Sequence, residues 1–262
     1  MIPEYAINEW RNTVPWNNIE QIEQDLVICR ALVELFNDEF LSSHLAFRGG
    51  TALHKLYLSP QSRYSEDIDL VQIKAEPIKK TIIQISKVLS FLGKPVIKQK
   101  ANNNTLVFRF KSEIPPIIPI RLKVETNCRE HFDVLGLTKI EFNVKNQWFS
   151  GKCQTNTYKL DELLGTKLRA LYQRRKGRDL YDIYKALSIS EINVINILLC
   201  YRKYIEFAAG KPPTKKEFLL NMELKMKDEE FIGDTNMLLR NIEHYNPHKA
   251  YEVVKSTLLD KL

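Results

Sequence analysis

The sequence predicts an α+β protein, with a mixed α/β domain over about residues 1–150 and a helical domain over 151–262. Three observations predict this. Apolar residues recur at steps of three and four between Ile19 and Phe40, the spacing of a helix. Further on, short segments such as Ile120-Arg121-Leu122-Lys123-Val124-Glu125 alternate apolar and polar residues, as a strand with one buried face does. From Tyr158 the alternation stops and Leu160, Leu163, Leu164, Leu168 and Leu171 follow near helical spacing.

Residues 1–18 hold Pro3, Pro15, Trp10 and Trp16 with little periodicity, and an irregular or partly helical arm is expected. Ile22, Leu26, Cys29, Val33, Phe36 and Phe40 then form the single buried stripe of an amphipathic helix. Leu45-Ala46-Phe47 reads as a short strand ending at Arg48-Gly49-Gly50, and Thr51 to Tyr57 as a short helix. Asp67-Ile68-Asp69-Leu70-Val71 is the next strand, and a helix from Pro77 places Ile78, Ile82, Ile85 and Leu89 on one side. Strands 95–100 and 105–111 flank Asn102-Asn103-Asn104, a hairpin turn. The strand ending at Glu125 starts raggedly at Pro119, and 139–145 alternates again as an edge strand or linker excursion. Helices are expected at about 178–187, 191–208, 214–226, 229–240 and 248–261, separated by Gly210, Pro212-Pro213, Gly233 and Pro247.

Composition narrows the class without naming a function. A formal charge of +7 tilts the odds towards a polyanionic partner. Cys29, Cys128, Cys153 and Cys200 are too scattered for a disulfide scaffold or a structural zinc site. Neither a signal-peptide core nor a membrane-spanning apolar run is found, so a soluble cytoplasmic protein is expected.

The chemistry concentrates in residues 45–70. Paired glycines allow a sharp turn and close approach of a ligand, and the helix start after them suits phosphate oxygens. Asp67 and Asp69, two apart on a strand, face the same way. Neighbouring carboxylates repel unless a cation lies between them, and Mg²⁺ suits oxygen ligands beside a phosphate. Glu125 on another strand is a candidate third acid, while Glu66 is out of phase with the pair. The competing account is a solvated turn carrying ordinary surface acids. Arg48, Arg63, Arg121 and Lys123 can neutralise phosphate or lie on the surface, and Ser65 can bond the turn or a phosphate. His54 reads as structural.

A second informative stretch is KLRALYQRRKGRDLYDIYKAL, residues 167–187. Between Lys159 and Lys185 eight Lys or Arg residues face four Asp or Glu, a local balance of +4. Such a stretch can grip a triphosphate or a nucleic-acid backbone, or form a charged helical hairpin held by salt bridges. Asp179 and Asp182, three apart, can share a helix face and orient Lys167 or Arg178.

Together, Phe47-Arg48-Gly49-Gly50-Thr51-Ala52-Leu53, Arg63-Tyr64-Ser65-Glu66-Asp67-Ile68-Asp69-Leu70, Lys167-Leu168-Arg169-Ala170-Leu171 and Arg178-Asp179-Leu180-Tyr181-Asp182 resemble the AbiEii/AbiGii toxin family of nucleotidyltransferases, which has the polymerase-beta-like fold. The resemblance spans about residues 20–190. It implies that Gly49, Gly50 and Thr51, with Ser65, cradle phosphates and that Asp67 and Asp69 carry metal. It implies further that Lys167 contacts the triphosphate, that Arg178, Asp179 and Asp182 form the basic-acidic block with Asp179 or, as the alternative, Asp182 as its essential acid, and that Glu125 stands where the superfamily commonly has aspartate. The implied cofactor is Mg²⁺, or Mn²⁺ in its place, with a nucleoside triphosphate as substrate. The implied reaction transfers an NMP unit to an acceptor, for which a tRNA 3′ end is the extension to test. The implied role is that of a toxin in a bacterial toxin–antitoxin or abortive-infection system, with an antitoxin protein as partner. The alternative is a non-catalytic nucleotide- or RNA-binding module that works through a protein partner.

Overall fold

The computed structural model describes residues 2–14, 16, 18–100, 102–189, 191–240 and 242–262. The chain divides into two compact units: Met1–Leu56, Arg63–Asp133 and Leu137–Tyr158 form the first, and Tyr57–Ser62, Val134–Gly136 and Lys159–Leu262 the second.

The first unit is built on a mixed sheet. Its strands are β1 (Leu45–Arg48), β2 (Asp67–Gln72), β3 (Val96–Lys100), β4 (Asn103–Lys111), β5 (Pro119–Asn127), β6 (Leu137–Lys145) and β7 (Ser150–Tyr158), in the order β3-β4-β5-β2-β1-β7-β6. β2 runs antiparallel to β1 and parallel to β5. Residues directly opposite on paired strands share a face. The register sets Phe47 beside Leu70, Ile68 beside Val124, and Phe108 beside Leu122, and all six are buried. Odd-numbered residues of β2 and β5 up to Asp69 and Asn127 lie on the other face and are half-buried or exposed.

Helices α1 (Glu4–Arg11), α2 (Ile19–Asn37), α3 (Glu39–His44), α4 (Gly49–Leu56) and α5 (Lys79–Val88) complete this unit. Of the expected stripe, Ile22, Leu26, Cys29, Val33 and Phe36 are buried on α2 while Phe40 falls half-buried in α3, and Val27, Ile28, Ala31, Leu32 and Leu35 are buried from the other sides of α2. The helix is enclosed because α1, α3 and α5 pack on it as well as the sheet. It also stops earlier than the spacing predicts. Asp38 takes an extended conformation, and its carboxylate accepts from Leu41 N at 2.9 Å, capping a separate α3. The expected turn at 102–104 is shorter too, since Lys100 pairs with Asn103 and both Asn103 and Asn104 belong to β4. No strand is expected from sequence at 150–158, yet β7 lies between β1 and β6. Its buried positions are Cys153, Thr155, Asn156, Thr157 and Tyr158, so its inward face carries few of the aliphatic residues that mark a strand.

The second unit holds α6 (Leu160–Gln173), α7 (Gly177–Ile189), α8 (Val194–Ala209), α9 (Lys215–Lys225), α10 (Glu229–Gly233) and α11 (Pro247–Thr257). Side chains cap several starts: Asn193 for α8, Asn246 for α11, and Thr214 with Glu217 in a capping box for α9. The helix expected over 229–240 ends at Gly233 and gives way to turns closed by Asn236 N to Gly233 O at 3.0 Å and Leu238 N to Thr235 O at 2.9 Å. Among the described residues no helix is long and apolar enough to cross a membrane.

α6 and α8 pack closely because Gly165 has no side chain. A Cβ there would lie 2.5 Å from Cys200 Cβ and 2.9 Å from both Ile197 O and Tyr201 N. Backbone atoms cannot yield as a flexible side chain can. Gly165→Ala is therefore expected to lower stability by about 1–3 kcal/mol despite the better helix propensity of alanine, read as a lower urea midpoint.

Candidate functional site

The site of the first unit is assembled where β1 turns into α4 beside β2. Gly49 has φ +85°, a conformation side-chain-bearing residues rarely adopt. A Cβ on it would collide with Oδ2 of Asp69 and come within 2.9 Å of Asp69 Cγ. The first residue of α4 thus lies directly against the Asp69 carboxylate, where the partial positive charge of a helix start favours an anion. Gly50 follows, half-buried. Thr51 is buried and its hydroxyl donates to the Asp67 carbonyl, tying α4 to the head of β2. With that proton committed, the Ser65 hydroxyl at 2.7 Å donates to Thr51 Oγ1.

Asp67 and Asp69 are both half-buried on one face of β2, with Ile68 between them in the core. Across β5 their register partners are Lys123 and Glu125, and across β1 Asp69 stands opposite Arg48. Burial, then the Asp69 carboxylate, with smaller additions from Glu66 and Glu125 and against the pull of Lys123, pushes the Asp67 carboxyl up to about 6. Glu125 is engaged by Lys123 Nζ and Asn103 Nδ2. Among the described residues no group of three or more His, Cys, Asp or Glu side chains gathers as a metal cluster. Two crowded carboxylates nevertheless form a donor set that suits a hard divalent cation completed by phosphate and water oxygens. The cradle against Gly49 keeps one of them in place.

Of the other cations singled out by sequence, Arg48 pairs with Glu130, and Arg63 is buried, its Nη1 donating to Tyr64 O at 2.9 Å. His54 is buried in α4.

The sequence-marked residues of the second unit form a cluster of their own. Lys167 on α6 is buried, with Nζ 2.7 Å from Asp182 Oδ2 and 3.2 Å from Asp179 Oδ1. Both acids are fully buried on α7. Arg174 bonds Asp179 through Nε at 2.6 Å and Nη2 at 2.7 Å. Burial alone would raise the Asp179 carboxyl, but Lys167 and Arg174 outweigh it and hold it below its ordinary value. Arg178 turns instead to Asp234, which accepts from its backbone N at 3.0 Å. Tyr181 packs edge-on against Tyr245 and Tyr172 against Phe218, as seam-filling residues do.

Residues 30–255 match the family described as nucleotidyl transferase AbiEii toxin, type IV toxin–antitoxin system. The chain belongs to the AbiEii family. Its fold is shared with solved structures. MenT4, a nucleotidyltransferase toxin from Mycobacterium tuberculosis H37Rv, superposes with a TM-score of 0.68 at 14% identity, covering 100% of this chain and 91% of that one. JHP933 from Helicobacter pylori gives 0.56 at 17% identity, with 92% of each chain covered. No curated protein matches the sequence significantly. At such identities the likeness is one of fold.

In this AbiEii chain the glycine turn is held from behind by groups that carry no sequence motif. Lys55 at the end of α4 donates to Asp25 Oδ2 at 2.7 Å and to Cys29 Sγ at 3.2 Å, and Trp10 Nε1 donates to Asp25 Oδ1 at 3.0 Å. Burial would depress the Lys55 ammonium, but Asp25 outweighs that effect and keeps it charged. The available signal was Asp25 itself, a charge lying between Ile22 and Cys29 on the apolar stripe of α2. Glu130 and Asp234 were likewise unmarked, because their partners are set by tertiary folding. Lys55→Met leaves a buried carboxylate without its countercharge and is expected to cost about 3–5 kcal/mol. Adding Asp25→Leu to that variant should recover part of the loss, measured by denaturant melts.

Proposed function

We propose that this AbiEii-family protein transfers an NMP unit from a nucleoside triphosphate to an acceptor hydroxyl and releases pyrophosphate. The observation that carries the reading is the pair Asp67 and Asp69, two apart on β2, with Asp69 lying against Gly49 at the start of α4. At Gly49 the missing side chain admits the Asp69 carboxylate, and the helix start that follows would offer its N–H groups to a triphosphate tail beside the two acids. Bound Mg²⁺, or Mn²⁺, would be held by Asp67 and Asp69 and would offset the charge of the triphosphate, while Glu125, engaged by Lys123 and Asn103, forms no three-acid cluster with them among the described residues. Gly49 and Gly50 admit the phosphates, while Thr51 and Ser65 fix the turn that receives them. Asp69 accepts the proton of the attacking hydroxyl; Glu125 is the less available base, because Lys123 and Asn103 already engage it.

Lys167 of the second unit is proposed to contact triphosphate oxygens, oriented by Asp179 and Asp182, with Arg178 beside them. Its support is the family motif and the buried ion pairs that fix its ammonium. A tRNA 3′ end as acceptor, a cognate antitoxin as partner and action in the cytoplasm complete the proposal.

Incubation with each labelled NTP, Mg²⁺ and total tRNA, with protein and small-molecule acceptors in parallel, is expected to transfer label. Asp67→Asn and Asp69→Asn should each reduce transfer about a hundredfold or more. Labelling equal to wild type in both variants would reject the site. A protonated Asp67 cannot serve as a cation ligand. Mg²⁺ affinity measured by calorimetry should therefore be full above about pH 6, the raised carboxyl value. It should fall about tenfold per pH unit below that.

A further inference from the structure

The sheet face that carries the two aspartates continues across β5 and β4, and there its charge reverses. On β5, Arg121, Lys123 and Glu125 alternate with the buried Ile120, Leu122 and Val124 and so share the face of Asp67 and Asp69. On β4, Arg109 stands directly opposite Arg121, and Lys111 opposite Pro119. Arg109, Lys111 and Arg121 are all exposed. Like charges placed directly opposite across an antiparallel pair destabilise it, and acids are the usual partner. Here no ion pair engages Arg109 or Arg121 among the described residues, and Glu125, the nearest acid along β5, is engaged by Lys123. Arg121 lies two residues from Lys123, the partner of Asp67, roughly 7 Å along the strand. Gln24 fixes the strand at that point, donating through Nε2 to Arg121 O at 3.1 Å.

Strand order then separates the two reactants. The glycine turn follows β1 on one flank of β2, whereas the arginine pair lies on β5 and β4 on the opposite flank. An anion held by the arginines is therefore not the triphosphate tail lodged in the glycine turn. We infer that Arg109 and Arg121, with Lys111 beside them, grip the phosphodiester backbone of a nucleic-acid acceptor whose terminal hydroxyl reaches Asp67 and Asp69. This rests on the transfer reading above. Guanidinium groups suit the task, because their planar fork meets two phosphate oxygens at once. Such contacts fix where the strand lies without reading its bases, so the acceptor is selected as a polyanion with a hydroxyl end.

The test is anisotropy of a 5′-fluorescein single-stranded RNA with a 3′ hydroxyl, and of labelled total tRNA, titrated with the full chain across a salt series. Wild type should bind. Arg109→Ala/Arg121→Ala should bind about tenfold more weakly near 100 mM salt, with the slope of log K against log salt smaller by about 1.4. Arg109→Lys/Arg121→Lys should recover part of the loss. Lys79→Ala/Lys80→Ala, which removes the same charge from the exposed start of α5, should change much less. NTP affinity by calorimetry should be unchanged in all of them. RNA binding that is absent in wild type, or that falls equally in the Lys79/Lys80 control, overturns the proposal. So does a parallel loss of NTP affinity, which would hand the arginines to the triphosphate, or an equal dependence of poly-glutamate binding on them, which would point to an acidic protein. Arginine-dependent RNA binding without any pyrophosphate release by the wild type would sink the transfer reading and leave this surface standing.

Discussion

The carboxylate of Asp69 fills the space that a side chain on Gly49 would need. That approach fixes the rest of the first unit's site. It sets the start of α4 against β2, which brings Thr51 to the Asp67 carbonyl and leaves both carboxylates beside a stretch of bare backbone. Behind the turn, Lys55, Asp25 and Trp10 hold α4 against α2, so a buried ion pair supports the surface geometry from the core side. The crowding has a cost, visible in the raised Asp67 carboxyl, and a bound cation is the natural relief.

What could be read before folding was local. Asp67 and Asp69 alternate with Ile68 and Leu70, so their common face follows from the period of a strand, and Gly49-Gly50 announces its own turn. The strand at 120–125 and the α2 stripe were equally explicit. Contacts between distant segments left no such trace. Glu130 meets Arg48 across 82 residues, and nothing in the local pattern of either points to the other. β7 escaped because threonine, cysteine and asparagine fill its inward positions, and α10 is short because Gly233-Asp234-Thr235-Asn236 are poor helix formers. In the second unit, the positive balance of 159–185 suggested an open basic surface. The fold instead buries Lys167 between Asp179 and Asp182 and pairs the exposed Arg174 with Asp179, so part of that charge is offset by buried acids.

The exposed face of the sheet gains meaning from this contrast. In the helical unit Lys167, Arg174, Arg175, Arg178 and Lys185 pair with acids, whereas along β5 charge runs from acid at Glu125 to base at Arg121 within four residues. A gradient of that kind lets one face attract a cation at one end and a polyanion at the other.

β2 is flanked on both sides, by β1 and β5, and from Asp67 to Leu70 its side chains alternate between the half-buried acid face and the core. Placement of the two acids is therefore a parity property. Inserting or deleting one residue within the strand would turn both carboxylates into the apolar layer and lift Ile68 and Leu70 out of it. Such a change cannot trim the chemistry by degrees, and drift in this family should keep the length of that segment even where its letters vary.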